Sequence, residues 1–373
     1  VIEYKRLGDI ATIIMGQSPK GDTYNNENVG KPLINGPTEF GRSSPKVTLF
    51  TTDSKRECEK GDLIFCVRGS TTGRMNWADQ NYSLGRGVCS FRGETLLATR
   101  FIRYALEVNL HGLLQLAGGG TFPNLTKDTI NDFKIPFPKA YEKYALIANE
   151  YDNLIENNNR RITILEDMAQ SLYCEWFVNF RYPGHADGKT KLTDSPLGQI
   201  PEGWEVKRLD DYVVLQRGFD LPKRNRNEEG GIPIYAASGI TGYHDQVKAK
   251  GPGIVTGRSG TLGIVNLVLE DHWPLNTSLW VKEFKICTAH YAYYLLDGIG
   301  LERFNSGASV PTLNRNDVHG NPVIAPPTCL IEKFESIASV NHKQIHLLKR
   351  KNENLKKQRD MLLPKLISGK IEL

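Results

Sequence analysis

The chain is written twice, and that repetition restricts its fold more than any other feature. Glu3-Tyr4-Lys5-Arg6-Leu7-Gly8-Asp9 returns as Glu205-Val206-Lys207-Arg208-Leu209-Asp210-Asp211, and each copy then reaches a glycine, Gly16 and Gly218. Pro32-Leu33-Ile34 returns as Pro233-Ile234-Tyr235. Lys60-Gly61, Ile64-Phe65 and Arg68-Gly69-Ser70-Thr71-Thr72-Gly73 return as Lys250-Gly251, Ile254-Val255 and Arg258-Ser259-Gly260-Thr261-Leu262-Gly263. Phe122-Pro123-Asn124-Leu125 matches Val310-Pro311-Thr312-Leu313. Each is followed by a Pro-rich exit, Ile135-Pro136-Phe137-Pro138 and Ile324-Ala325-Pro326-Pro327, and then by Glu142-Lys143-Tyr144 or Glu332-Lys333-Phe334. Chance supplies one such match but not a series in the same order. The offset falls from 202 to 190 and then holds, so the second copy has lost residues in its first third, as surface loops allow.

Within each copy, short apolar or β-branched runs bounded by glycine read as strands: Val213-Val214-Leu215, residues 63–67 and residues 263–268. One helix per copy is predicted, at 98–108 and 289–296. The fold class is therefore α+β, with a mixed, largely antiparallel sheet in two similar domains. Apolar residues at 39% supply cores for both. The expected division is domain one at 1–139, a central long helix at 140–180, a linker at 181–203, domain two at 204–327 and a C-terminal long helix at 328–373.

The two long helices follow from spacing. Residues 141–180 contain no proline or glycine, and Ile155, Ile162, Leu165, Ala169, Leu172 and Trp176 fall at alternating three- and four-residue steps, with Asn158 in the missing place. At an offset of 190 the seam recurs as Ile345, Leu348, Leu355, Leu362 and Leu366, interrupted by Asn352 and Arg359. This heptad pattern predicts a coiled coil in which a buried Asn sets register. The alternative is that each helix packs only on its own domain. Charge favours mutual pairing: 140–180 is net −4 and 328–373 is net +5. Pairing must be antiparallel if duplicated halves close on themselves, giving a pseudo-two-fold molecule. Some 40 helical residues would span roughly 60 Å. Pro364 is expected to kink or end the second helix early.

In this order, repeated, the motifs resemble the specificity (S) subunit of type I restriction–modification enzymes. The resemblance covers the whole chain and rests on Lys60-Gly61-Asp62-Leu63-Ile64 with the Arg68–Gly73 block, on the Pro-Asn-Leu and Pro-Thr-Leu turns with their exits, and on Leu362-Leu363-Pro364-Lys365-Leu366-Ile367-Ser368-Gly369. It implies two target-recognition domains, each reading half of a split DNA target, with the helices acting as a spacer ruler and as the docking surface for two methyltransferase (M) subunits. It implies no catalysis by the chain itself. S-adenosylmethionine would be used by the partners, as would ATP and magnesium for restriction, and restriction (R) subunits could join.

The residues agree with that reading. A two-fold reader suits a two-part site, and domain one (net +4) differs from domain two (net zero), so the target should be asymmetric. Candidate DNA contacts are Lys20, Arg42, Lys46, Arg68, Ser70, Thr71, Arg74 and Arg86 in domain one. In domain two they are Arg217, Lys223, Arg224, Arg226, Arg258, Ser259 and Thr261. Lys223-Arg224-Asn225-Arg226-Asn227 looks most like a phosphate-clamping loop. Any one of these is equally a solvated surface charge, and the repeated Arg-Gly-Ser-Thr turn is equally a tight connection that needs glycine for positive φ.

Other chemistry is missing. There is no GxxxxGK[ST] or GxGxxG loop, Ala117-Gly118-Gly119-Gly120 is too short and wrongly flanked for S-adenosylmethionine, and Ala325-Pro326-Pro327-Thr328 lacks the amide and aromatic of a methyltransferase tetrapeptide. Six cysteines form no CxxC and eight histidines no cluster, which predicts no metal and reduced thiols in a cytoplasmic protein. No run is long enough to cross a membrane, and residues 1–10 lack the apolar stretch of a secretory signal. The runner-up is a metal-dependent endonuclease built on Asp271, Glu283 and Lys285.

Overall fold

The computed structural model describes residues 3–118, 123–185 and 191–371. The chain falls into two compact units, Val1–Asn157 with Lys351–Leu373, and Asn158–Arg350.

In the globular module of the first unit, β1 (Ala11–Met15), β2 (Leu63–Cys66), β3 (Met75–Trp77) and β4 (Val88–Gly93) form an antiparallel sheet in the order β1-β4-β2-β3. Strand periodicity of two decides what it packs on. Leu63 and Phe65 of β2 face α1 (Leu96–Gln115) and its Phe101, Ile102 and Ala105, while Ile64 faces the opposite way, toward Ile34, Tyr82 and Leu84. Those last residues belong to a second, mixed sheet that includes Lys31–Ile34 and Tyr82–Leu84. A sheet buried on both faces explains why residues 63–67 are apolar throughout. The helix α1 starts earlier than its apolar core predicts, where the Thr95 hydroxyl accepts the Ala98 N–H and caps it, and it runs on to Gln115 with Leu113 buried in the same core. The helix α2 (Tyr141–Tyr173) follows.

The second unit repeats the plan. Its strands β5 (Val213–Arg217), β6 (Gly253–Gly257), β7 (Val265–Val268) and β8 (Ser278–Phe284) run in the order β5-β8-β6-β7, with α3 (Ala289–Ile299) and then α4 (Thr328–Ile367). A smaller sheet joins Ile232–Ala236, Gly239–His244 and Trp273–Pro274. The opening motif of each copy meets its own Pro-rich exit: Tyr4–Arg6 pairs with Lys134–Pro136, and Glu205–Arg208 with Pro322–Ala325. Two of the repeated motifs are thus two sides of one antiparallel ladder.

The long helices are shared between the units and run in opposite directions. In the first unit, Ala145 and Ala148 of α2 join Leu363 and Ile367 of α4 in the core beneath α1. In the second, Ala169 and Tyr173 of α2 meet Leu330, Ile331, Phe334 and Ala338 of α4 in the core beneath α3. There Ile162, Ile345 and Leu348 form a separate apolar cluster with Leu165 against it. Pairing and packing on a module are therefore combined rather than alternatives. Asn158 and Asn352 are buried, as the seam requires.

Toward the helix ends the seam departs from its expected register. Tyr173 is buried where Leu172 is half-buried, and Leu363 is buried where Leu362 is half-buried. A straight helix of 3.6 residues per turn drifts about 20° per heptad, so the module captures the next residue. Ile155 keeps its place, and Leu355 is half-buried. Pro364 neither ends the helix nor stops it early: α4 continues to Ile367 because Leu363, Leu366 and Ile367 are all buried. That burial offsets the roughly 3 kcal/mol cost of an interior proline. After Tyr173 the chain makes a π-helical turn, Cys174–Val178, which sets Trp176 and Phe177 into the second unit's core. Residues 181–203 carry more structure than a linker needs. Leu192–Ser195 pairs with Gly198–Pro201, and Tyr182 lies 5.4 Å from the Trp204 ring; residues 186–190 of that stretch lie outside the described residues.

Candidate nucleic-acid interface

Sheet topology gathers most of the candidate residues at one end of each four-stranded sheet. In the first module, β1 ends at Met15 opposite Cys89, β2 ends at Cys66 opposite Val88, and Met75 begins β3 opposite Phe65. The loop leaving β1 (with Lys20), the turn before β4 (with Arg86) and the turn from β2 to β3 (with Arg68, Ser70, Thr71 and Arg74) therefore emerge together. Backbone contacts hold them there: Gly16 N–H donates to Val88 O at 2.9 Å, Val67 N–H to Gly87 O at 2.9 Å and Arg86 N–H to Ser18 Oγ at 3.4 Å. Gly16 is required for this approach, since a Cβ would lie 2.1 Å from Gly85 O.

The second module brings Arg217, the 3₁₀ turn Lys223–Asn225, and Arg258, Ser259 and Thr261 to the same end of its own sheet. Gly218 repeats the role of Gly16, with a Cβ 2.2 Å from Leu275 O. The turn Gly21–Thr23, which Lys20 precedes, is the first copy's equivalent of Lys223–Asn225. The basic cluster Lys223-Arg224-Asn225-Arg226-Asn227 thus replaces a nearly neutral stretch.

The repeated Arg-Gly-Ser-Thr turn has the tight-turn role, and glycine takes the positive φ, +89° at Gly69 and +90° at Gly260. The Pro-Asn-Leu and Pro-Thr-Leu turns are its bonding partners. Gly69 N–H donates to Pro123 O at 3.1 Å and Gly260 N–H to Pro311 O at 2.9 Å; Leu125 and Leu313 N–H donate to Val67 and Arg258 O. Gly119, Gly120 and Phe122 of the first copy lie outside the described residues. With that turn so held, Arg68, Ser70, Arg74 and Thr261 are exposed, Thr71 and Ser259 half-buried, and the Arg258 guanidinium donates to Asn276 O at 3.4 Å.

Among the described residues, most of these cations are not neutralised by a carboxylate, although they share that with others such as Lys60, Lys127 and Arg315; what distinguishes them is their gathering at one end of each sheet. Arg6, Arg92 and Arg103 of the first unit each sit within 3.4 Å of a carboxylate. Among the described residues, Lys20, Arg42, Lys46, Arg68, Arg74, Arg86, Lys223 and Arg224 have none within 4.0 Å. Arg217 does pair with Asp220, at 3.4 Å. Arg226 is turned inward: its Nη1 donates to Thr241 O at 3.3 Å, and Asn227 N–H donates to His244 Nδ1, so this half of the basic cluster fastens the loop to the neighbouring hairpin. Arg42 and Lys46 come from elsewhere, the connection between Lys31–Ile34 and Phe50–Thr51.

Three residues at this end of the second module escape a sequence reading. Asn276 donates to Asp220, which lies 56 residues earlier, and Lys248 lies over the Phe219 and Trp273 rings at 5.6 and 5.1 Å. No spacing in the chain marks contacts made by folding alone. Among the described residues no three His, Cys, Asp or Glu gather as a metal site. Burial pushes the Cys58 and Cys287 thiols up to about 12, which favours the protonated thiol at neutral pH. Of the proposed nuclease trio, Lys285 is engaged with the Asp210 carbonyl at 2.7 Å and Asp271 with Gly251 N–H at 3.1 Å. Among the described residues no helix is long and apolar enough to cross a membrane.

The family model for the type I restriction modification DNA specificity domain matches residues 2–167 and again 201–357. The chain belongs to that family. Each match spans one module and most of the helix after it, which is the duplication seen in the sequence. The chain is 28% identical over 356 residues to the MjaIX specificity subunit of Methanocaldococcus jannaschii, covering 87% of this chain and 82% of that protein. It is 21% identical to the HindI specificity subunit of Haemophilus influenzae, covering 85% and 88%. The crystal structure of the type I system S subunit from M. genitalium has the same fold, with a TM-score of 0.69 at 20% identity over 98% of this chain and 96% of that one. The chain is a type I specificity subunit with two target-recognition modules.

Proposed function

We propose that this specificity subunit reads a bipartite, asymmetric site on double-stranded DNA, one half per module. The observation that carries the reading is the set of uncompensated cations at the same end of both four-stranded sheets. Phosphates would be held by exposed lysines and arginines, and bases read by bidentate Arg, Asn or Gln contacts in the major groove. The difference between the Lys223–Asn227 loop and its counterpart in the first module supports different half-sequences. The paired helices set the spacer and dock two M subunits, which flip the target adenine out of the stack and methylate it using S-adenosylmethionine. R subunits, with ATP and magnesium, join this assembly where the system also cleaves. The chain itself is non-catalytic and binds no cofactor, and it works in the cytoplasm beside the chromosome.

Mapping methylated adenines in a host that expresses the chain with its M subunits tests this directly. A two-part motif with a fixed spacer is expected. DNA cutting by the purified chain alone, with magnesium, would instead establish the nuclease reading and overturn this one.

A further inference from the structure

The two modules share a framework and differ most in one connection. In the second, Ile232–Ala236 turns at once into Gly239–His244, with Ala236 opposite Gly239. In the first, the matching strand Lys31–Ile34 reaches its partner Phe50–Thr51 only after residues 35–49. Register fixes the equivalence, since Pro32 stands opposite Phe50 and Pro233 opposite Tyr243. The repeat offset drops here from 201 (Pro32 to Pro233) to 193 (Phe50 to Tyr243), which is most of its total fall.

The extra residues form a built element. Gly41 N–H donates to Ser44 O at 3.1 Å, Lys46 N–H to Glu39 O at 2.7 Å, and Phe40 stands opposite Pro45, so residues 39–46 are a hairpin with Arg42 and Ser43 at its tip. It is fastened to the outer strand β3: Trp77 N–H donates to Ser43 O at 2.9 Å, and the buried Asn76 side chain to Gly41 O at 3.1 Å. Below it, the Glu39 carboxylate accepts the Gly36 N–H at 3.0 Å. Arg42 and Lys46 are exposed and lack a carboxylate within 4.0 Å among the described residues. A β-ribbon fits the major groove, and a guanidinium on a rigid tip binds without the entropic cost of ordering a loop. The hairpin lies along the same outer strand that Arg74 leads into.

We propose that hairpin 39–46 is a DNA-reading finger peculiar to the first module, with Arg42 on a base edge and Lys46 on a phosphate. The proposal rests on the DNA-reading function above. Its test uses the full chain with its M subunits and maps methylated adenines for wild type, Arg42→Ala, Arg42→Lys and, in the other module, Arg224→Ala. Arg42→Ala should relax one base pair in one half of the motif by about tenfold to a hundredfold, leaving the other half and the spacer intact. Arg42→Lys should relax the same position, because an ammonium lacks the bidentate fork. Arg224→Ala should act on the opposite half or on overall affinity. Full selectivity in Arg42→Lys would make Arg42 a phosphate anchor and overturn the finger. An unaltered motif in Arg42→Ala, or a uniform loss at all sites, would do the same. A wild-type chain that yields no two-part motif would instead remove the DNA-reading function, and the finger with it. Thermal melting of both Arg42 variants, expected at the wild-type temperature, excludes misfolding as the cause of any change.

Discussion

Asp152 of α2 is where the late part of α4 is tied into the first unit, and removing its charge should cost far more than removing any surface ion pair. Its carboxylate accepts from Arg103 at 2.6 Å, from the Tyr104 hydroxyl at 2.7 Å and from Arg359 of α4. The Arg103 and Arg359 side chains are 19% and 12% exposed. Asp152→Asn would leave two half-desolvated guanidiniums sharing Glu107, which lies 3.4 and 3.5 Å from them, with Asp360 as a further partner for Arg359. Breaking a buried pair from one side costs about 3–5 kcal/mol, and the remaining carboxylates should recover part of it, leaving about 2–4 kcal/mol. Glu166→Gln, which releases a pair with Lys349 whose side chains are 58% and 48% exposed, should cost less than about 1 kcal/mol. Hydrogen exchange of the backbone amides of residues 351–367 reads the loss where it occurs, without assuming that both units unfold together. A double-mutant cycle of Asp152→Asn with Arg359→Met should give a coupling of about 2 kcal/mol. Coupling below about 0.5 kcal/mol, or equal costs for Asp152→Asn and Glu166→Gln, would refute the reasoning. Burial pushes the Asp152 carboxyl up, but Arg103, Tyr104 and Arg359 outweigh it and hold it below the ordinary aspartate value. A group lowered on folding stabilises above its unfolded pKa and stops doing so as pH falls through the folded one. The node should therefore persist from pH 8 to about 4 and weaken below that.

Burial holds His342 at about 4, with His290 and Lys349 adding to the effect, so the unfolded chain binds a proton there that the folded second unit refuses. Its melting temperature should fall as pH drops from about 6.5 to 4, and His342→Phe should flatten that fall. Lys223→Ala with Arg224→Ala should flatten the salt dependence of DNA binding, by about 0.9 in log–log slope for each phosphate left unneutralised, in a titration of affinity against salt. Arg226→Ala should instead lower the second unit's stability, because its guanidinium is spent on Thr241 O. Inserting seven residues into both long helices keeps the seam facing inward and adds roughly 10 Å, so the methylated motif should gain about three base pairs of spacer. Gly218→Ala should destabilise the second unit in urea melts, since its Cβ would sit 2.2 Å from Leu275 O.

The duplication was legible because it needs no geometry, and the helices because residues 141–180 lack proline and glycine while their apolar residues keep a heptad step. Element ends were less so. The Thr95 cap sets the start of α1 ahead of its apolar core, and Pro364 is overridden by burial of Leu363, Leu366 and Ile367, a tertiary effect with no local mark. At the candidate interface, residue type marked loops that the sheet gathers at one end, and missed what folding does to the individual side chains. Arg226 carries the same charge as Arg224, yet its guanidinium is bound to the hairpin beside it. Arg42 looked like any exposed arginine until Gly41, Ser44 and β3 fixed the turn beneath it. Asn276 and Asp220 meet across 56 residues, a distance that spacing rules do not reach.

The first unit contains residues from both ends of the sequence, and the Tyr144 hydroxyl donates to Ile371 O at 2.8 Å. On the ribosome its sheet emerges early, but Leu363 and Ile367, which close its core, arrive only after residues 158–350 have been made. At 5–20 residues per second that interval is roughly ten to forty seconds. For that time Phe101, Ile102 and Ala145 await part of their cover, and the nascent module carries exposed apolar surface. The second unit, one continuous stretch, can finish folding first.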